Sequence, residues 1–138
     1  MPKIQGGCLC GAIRYRSEAE PVMTAVCHCK HCQRQTGTAF SVVVAVPRGS
    51  LVMEGAEPHV YFDTGTSGKP VLRKFCPQCG SPLVSEAAAA PDLDFIKAGT
   101  LDDTSWLKPQ VNIWCDSAQP WVQMSEDVPR VPQNPAFG

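Results

Sequence analysis

Alternation of apolar and polar side chains is the clearest local signal along this chain. Ala12-Ile13-Arg14-Tyr15-Arg16 alternates apolar and basic residues with the period of two expected of a half-buried strand. Phe40-Ser41-Val42-Val43-Val44-Ala45-Val46 is a β-branched run stopped by Pro47, which predicts a central buried strand. Shorter strands are predicted at Leu51-Val52-Met53, Val60-Tyr61-Phe62, Val71-Leu72-Arg73-Lys74-Phe75, Phe95-Ile96-Lys97 and Val111-Asn112-Ile113-Trp114. Turn-forming runs separate them at Pro47-Arg48-Gly49-Ser50, Gly65-Thr66-Ser67-Gly68 and Ala98-Gly99-Thr100.

Helix is scarce in this pattern. Lys30 to Thr36 predicts a turn or two of helix ending at Gly37, a residue suited to the left-handed position past a helix end. Ser85-Glu86-Ala87-Ala88-Ala89-Ala90 has helical composition, but Pro91 cuts it to a short helix or a loop. From Val128 onward, prolines and a weak hydrophobic pattern predict an extended tail on the surface. The expected fold is mainly β: one domain of short, mostly antiparallel strands over residues 1–125, followed by a proline-containing tail at 126–138.

Composition narrows the functional classes. A length of 138 residues suits one domain, and an apolar fraction of 43% suits a globular core. A formal net charge of -1 offers no long-range attraction to phosphate backbones, so nucleic acid is not an expected partner. No apolar run approaches the roughly 20 residues that span a bilayer, so no membrane is expected either. The stretch Met1-Pro2-Lys3-Ile4-Gln5-Gly6-Gly7 has no apolar core of a secretory signal, which makes the cytoplasm the expected compartment. Thiols there are kept reduced, so the 8 cysteines call for an explanation other than disulfides.

Seven of them cluster. Cys8 and Cys10 form C-x-C, Cys27, Cys29 and Cys32 form C-x-C-x-x-C, and Cys76 and Cys79 form C-x-x-C; Cys115 stands apart. Close spacing suits zinc, whose bonds to thiolate sulfur are about 2.3 Å and tetrahedrally disposed. Gly11 and Gly80 beside two of the motifs let the backbone turn tightly. Cys8, Cys10, Cys76 and Cys79 then make a closed site of four thiolates. Cys27, Cys29 and Cys32 make a site with its fourth position free, the pattern of a reactive zinc. Two zinc ions per chain follow. Other pairings of the clusters are formally possible, and the three-cysteine group has an alternative as a second closed site completed by His28, His31 or Cys115. A redox role for Cys76-Pro77-Gln78-Cys79 lacks the βαβ setting that such a motif needs.

The same residues resemble the glutathione-dependent formaldehyde-activating enzyme family, which includes centromere protein V. The similarity lies in Gly6 to Tyr15, in Cys27 to Phe40, in Phe75 to Leu83, in Ala98-Gly99-Thr100-Leu101-Asp102-Asp103 and in Pro120-Trp121. It implies a twisted, mostly antiparallel β architecture around zinc. It also implies Cys8, Cys10, Cys76 and Cys79 as structural ligands and Cys27, Cys29 and Cys32 at the reactive ion. The implied activity is addition of glutathione to formaldehyde, formally a carbon–sulfur lyase reaction. The expected function is therefore a zinc-dependent enzyme acting on the glutathione adduct of formaldehyde or another small aldehyde. The alternative is a non-catalytic zinc module that binds a thiol metabolite or a protein partner.

Three thiolates put a charge of about -3 around a divalent ion, which blunts its Lewis acidity and favours positioning a thiol. Lys30, Arg34 and His31 are the candidate compensating groups, and Lys30 and Arg34 are the candidate contacts to the carboxylates of a glutathione-like ligand. Trp106, Trp114 and Trp121 are expected as core or pocket-wall aromatics. Asp102-Asp103 is expected to supply turn and cap chemistry, His59 to lie on the surface, and Cys115 to be a small buried hydrophobe.

Overall fold

A computed structural model describes residues 4–134, so the readings made on residues 1–3 and on 135–138 lie outside the described residues. Among the described residues, ten strands form two sheets, accompanied by one α-helix and two 3-10 turns. The smaller sheet joins β1 (Ile4–Gly7), β2 (Ile13–Ser17) and β5 (Leu51–Gly55). The larger runs in the order β10-β3-β4-β9-β8-β7-β6, with β3 Met23–Cys27, β4 Ser41–Pro47, β6 His59–Thr64, β7 Pro70–Phe75, β8 Pro82–Ala87, β9 Leu93–Lys97 and β10 Val111–Ile113. Every strand pair is antiparallel except β10 with β3, which is parallel.

The expected mainly β fold is what the chain adopts, and the period of two explains how it packs. In β2, Ile13 and Tyr15 are buried while Arg14 and Arg16 are exposed. In β4, register places Val44 opposite Ile96 of β9, which in turn faces Val84 of β8. Val44, Val46, Val84 and Ile96 join Ile4, Ile13 and Tyr15 of the small sheet in the main core. On the opposite face of the sheet, Val43 of β4 joins Ala25 and Cys27 of β3, Ile113 of β10 and Cys32 in a second cluster. One face of the large sheet thus builds the core, and the opposite face is left to line a site.

The approach of the small sheet is close at Gly6. A Cβ there would lie 2.3 Å from the Thr100 carbonyl oxygen and 2.4 Å from the Tyr15 hydroxyl, so only glycine fits. Tyr15 is 3% exposed and its hydroxyl lies 2.7 Å from Thr100 Oγ1, whose own proton goes to the Lys97 carbonyl at 2.7 Å. Asp102 and Asp103 do supply local bonding: Asp103 accepts from the backbone and hydroxyl of Ser105, and Asp102 pairs with Arg14 of β2. The Gly65–Gly68 run closes the β6–β7 hairpin through Gly65 N–H to the Lys69 carbonyl at 2.8 Å.

Three features differ from the pattern-based expectations. Ser85–Ala87 is the end of β8, and a turn follows; pairing of Ser85 with Arg73 and Ala87 with Val71 overrides alanine's helical preference. Trp121 is 70% exposed, neither core nor cavity wall. The tail does not merely lie on the surface: Asn112 N–H donates to the Pro129 carbonyl, Val131 N–H to the Asn112 carbonyl and Trp114 N–H to the Gln133 carbonyl. Those bonds cover the outer edge of β10, which would otherwise expose unpaired backbone groups. No helix among the described residues is long and apolar enough to cross a membrane.

Candidate metal centre

The first cysteine group is made by two hairpin ends from different sheets. Cys8 and Cys10 sit in the connection from β1 to β2, and Cys76 and Cys79 in the connection from β7 to β8. Their four Sγ atoms all lie within 4.8 Å of one another. Tetrahedral bonds of about 2.3 Å require sulfurs roughly 3.8 Å apart. The Cys8–Cys10 and Cys10–Cys76 separations are 3.6 and 3.7 Å. The donor set therefore fits a four-thiolate metal site. Ile13 N–H donates to Cys8 Sγ at 3.3 Å and Gln78 N–H to Cys76 Sγ at 3.4 Å, as backbone amides do around bound thiolates. Ser81 reinforces the join. Its hydroxyl accepts from Leu9 N–H at 3.0 Å and lies 3.2 Å from Cys79 Sγ; with the Ser81 amide it holds the Cys79 thiol down to about 5.

The second group lies on the site-lining face of the large sheet. Cys27 ends β3, paired with Ser41 of β4 and Ile113 of β10. The chain then turns into α1 (Lys30–Thr36), the short helix expected here, with Gly37 left-handed at its end, φ 74°. Cys29 caps the helix, its Sγ accepting from Cys32 N–H at 3.2 Å, so the cap geometry brings Cys29 and Cys32 together beside Cys27. The three Sγ atoms lie within 4.8 Å of one another.

None of the proposed fourth ligands joins them. His28 is fully buried, but its Nε2 donates to Asn112 Oδ1 at 3.0 Å. His31 Nδ1 meets Asp63 Oδ2 at 2.7 Å, and Cys115 Sγ approaches the Asn112 carbonyl at 3.5 Å. Among the described residues the group is therefore a three-cysteine set. Cys115 is half-buried, short of the full burial expected for it. Gln33 locks the helix in place by donating to the His28 carbonyl at 2.7 Å and the Ser117 carbonyl at 3.0 Å.

Two cations from the sheet act on these sulfurs. Arg73 of β7 places Nη1 3.9 Å from Cys32 Sγ and 3.0 Å from Gln35 Oε1, while its Nε donates to Asp63 Oδ2 at 2.9 Å. Lys97 of β9 is 6% exposed and donates from Nζ to Ser41 Oγ at 2.9 Å. Sulfur–sulfur hydrogen bonds from Cys27 and Cys29 hold the Cys32 thiol far below its ordinary range, with Lys97 and Arg73 adding to the effect. The same hydrogen bonding to Cys29 and Cys32 pushes the Cys27 thiol far up. Burial pulls the Lys97 ammonium down, opposed by the three nearby sulfurs. Burial also works against the Arg73 charge, yet Cys32 and Asp63 hold it above its ordinary value.

Lys30 and Arg34, the cations expected from the sequence, are exposed on α1. Arg34 lines a cavity of about 540 Å³ with His31, Gln35, Tyr61, Asp63 and Arg73. Lys30 lines neither that cavity nor a smaller one, of about 160 Å³, over Cys27, Cys29 and Cys32. His31 and Arg73 border both cavities, so the two meet along that wall. Arg73 and Lys97 were not singled out from the sequence. Their signal is a cation at an inward position of an otherwise apolar strand: Val71 and Arg73 share one face, as do Phe95 and Lys97.

Comparison with known proteins bears on the same residues. Residues 3–117 match the sequence model of the glutathione-dependent formaldehyde-activating enzyme family. The chain belongs to that family. A protein of Halomonas elongata named "Putative glutathione-dependent formaldehyde-activating enzyme" is 26% identical over 126 residues, which cover 88% of this chain and 80% of that protein. A Colletotrichum graminicola protein of the same name is 25% identical over 114 residues, covering 72% of this chain and 58% of its own length. A third, from Aspergillus terreus, is 32% identical over 89 residues, 61% of this chain and 44% of its own. The chain thus spans about half the length of the two fungal relatives. A crystal structure of a Rhodobacter sphaeroides protein superposes with a TM-score of 0.60 at 16% identity, over 93% of this chain and all of that one, a likeness of fold.

Proposed function

We propose that the protein is a zinc-dependent enzyme of carbon–sulfur lyase type that makes and breaks the adduct of glutathione, or a similar thiol, with a small aldehyde. Family membership supports the pairing of glutathione with an aldehyde. The observation that carries the reading is the three-sulfur set of Cys27, Cys29 and Cys32, open to a cavity and flanked by two buried cations.

In this reading Cys8, Cys10, Cys76 and Cys79 hold a structural zinc, and Cys27, Cys29 and Cys32 hold a second one. Zinc at the second site supplies a position for a thiolate and charge to polarise a neighbouring oxygen. The chain's own residues do the rest. Three thiolates around a divalent ion leave one negative charge, which repels an incoming thiolate. Lys97 offsets that charge, and Arg73, shared with Asp63, tilts the pocket further toward anions. Asp63 in turn orients both Arg73 and His31 on the wall between the cavities. Arg34 and Lys30, exposed on α1, are placed for the carboxylates of the thiol carrier, Arg34 from within the larger cavity.

The test is turnover of the glutathione–formaldehyde adduct, followed by exchange NMR above the rate in buffer. Cys29→Ser is expected to lower the catalysed rate at least 100-fold while far-UV circular dichroism stays that of the wild type. A wild-type rate equal to that of buffer, with glutathione still bound in calorimetry, would instead establish a non-catalytic thiol-binding module.

A further inference from the structure

The cavity over the three cysteines is large and apolar for a reaction of formaldehyde. Its volume is about 160 Å³. Formaldehyde has two heavy atoms and occupies roughly the space of two waters, each about 30 Å³ in the liquid, so most of the cavity would stay empty around it. An apolar cavity of about 150 Å³ takes up benzene. Its walls include Val43, Val71, Phe95, Ile113 and Trp114; the three sulfurs, Arg73 and Lys97 line it too, and Thr66, Ser67 and Lys69 border it from the β6–β7 turn.

Trp114 is placed at a cost. It is the one non-glycine residue with positive φ among the described residues, at φ 57° and ψ 40°. A left-handed backbone is strained for a bulky residue that carries a Cβ. The conformation is held by Trp114 N–H to the Gln133 carbonyl at 3.1 Å and by Nε1–H to Asn134 Oδ1 at 2.7 Å, and Asn134 itself lines the cavity. Strain retained at a cavity wall, with two bonds fixing the ring, marks a surface built for a partner.

We infer that this site takes aldehydes bearing an apolar group about the size of a benzene ring, as their glutathione-type adducts. This rests on the reading of the site as a thiol–aldehyde centre. The hydroxyl-bearing carbon of the adduct sits beside the sulfurs, Arg73 and Lys97, its apolar group lies against Phe95 and Trp114, and the thiol carrier extends past the His31–Arg73 wall toward Arg34. The chemistry balances without an oxidant or reductant. The thiolate sulfur bonds to the carbonyl carbon, the carbonyl π pair moves onto oxygen, and the oxygen takes the proton that the thiol released; the reverse returns both reactants.

Calorimetry on the zinc-loaded protein with glutathione, S-methylglutathione and S-benzylglutathione separates the possibilities. S-Benzylglutathione is expected to bind at least tenfold more tightly than S-methylglutathione. Ala89→Leu, which fills the cavity from the turn after β8, is expected to bring that ratio close to one. A wild-type ratio below tenfold overturns the inference, and needs no variant to fold. If glutathione and S-methylglutathione bind but the benzyl group adds nothing, the substrate class fails while the thiol–aldehyde reading stands. If none of the three binds, both fail.

Discussion

Cys76→Ser is expected to abolish the cooperative thermal transition, or to lower its midpoint by more than 20 °C, whereas Cys29→Ser leaves it within a few degrees. The difference follows from where the two sulfurs sit. Cys76 is fully buried in the main core beside Ile4, Ile13 and Leu83, and its Sγ stands 3.7 Å from Cys10 Sγ across the junction of the two sheets. Structural zinc in small zinc-finger peptides is worth about 10–16 kcal/mol, comparable with the whole stability of a domain, about 5–15 kcal/mol. Removing one of four thiolates therefore removes a large share of what joins the β1–β2 hairpin to the β7–β8 hairpin. Cys29 is half-buried on a helix of 7 residues, where serine still caps the first turn. Differential scanning calorimetry of both variants is the check, and equal melting temperatures would remove the distinction between a structural and a reactive site.

Lys97→Met is expected to weaken zinc at the second site by 10- to 100-fold while leaving the melting temperature within a few degrees. Lys97 Nζ is held in the sheet by Ser41, where burial lowers its pKa, so its charge is costly in the folded chain. Methionine fills a similar volume and removes that cost. The loss of a partner for Ser41 Oγ, worth about 1 kcal/mol, offsets part of the gain. What methionine cannot do is balance three thiolates around a divalent ion. Groups in this supporting position are worth about 10–100-fold in metal affinity. Competition with a fluorescent chelator measures it, and unchanged affinity would show that Lys97 does not serve the metal.

Much of this arrangement is legible in the chain because it depends on short-range pattern. The alternation in Ile13 to Ser17 fixes which side of β2 is buried, and the β-branched run ending at Pro47 becomes β4, buried over most of its length. The cysteine spacings define both sulfur sets because each motif is a single turn. The spacing leaves open what completes the second set; Asn112, Asp63 and the Asn112 carbonyl draw His28, His31 and Cys115 elsewhere. These are contacts between residues 3 to 84 apart in the chain.

Strand β3 escaped the pattern because Met23–Cys27 runs directly into the ligand motif, and β1 because two of its four residues are glycine. Arg73 and Lys97 escaped because a cation in a strand ordinarily faces solvent. Their inward orientation is set by register: Val43 opposite Lys97, and Ser85 between Phe95 and Arg73. The tail escaped because its pairing is a backbone interaction that prolines accept through their carbonyls, Pro129 from Asn112 of β10 and Pro132 from Asp116 beyond it.

Zinc counted per chain, before and after mild chelation, tests the division of the cysteines most directly. Wild-type protein is expected to carry two zinc ions, one lost to the chelator with the fold retained and the other lost only with unfolding. Cys29→Ser should lose the labile ion alone. A single zinc per chain, or two that leave together as the protein unfolds, would contradict the account.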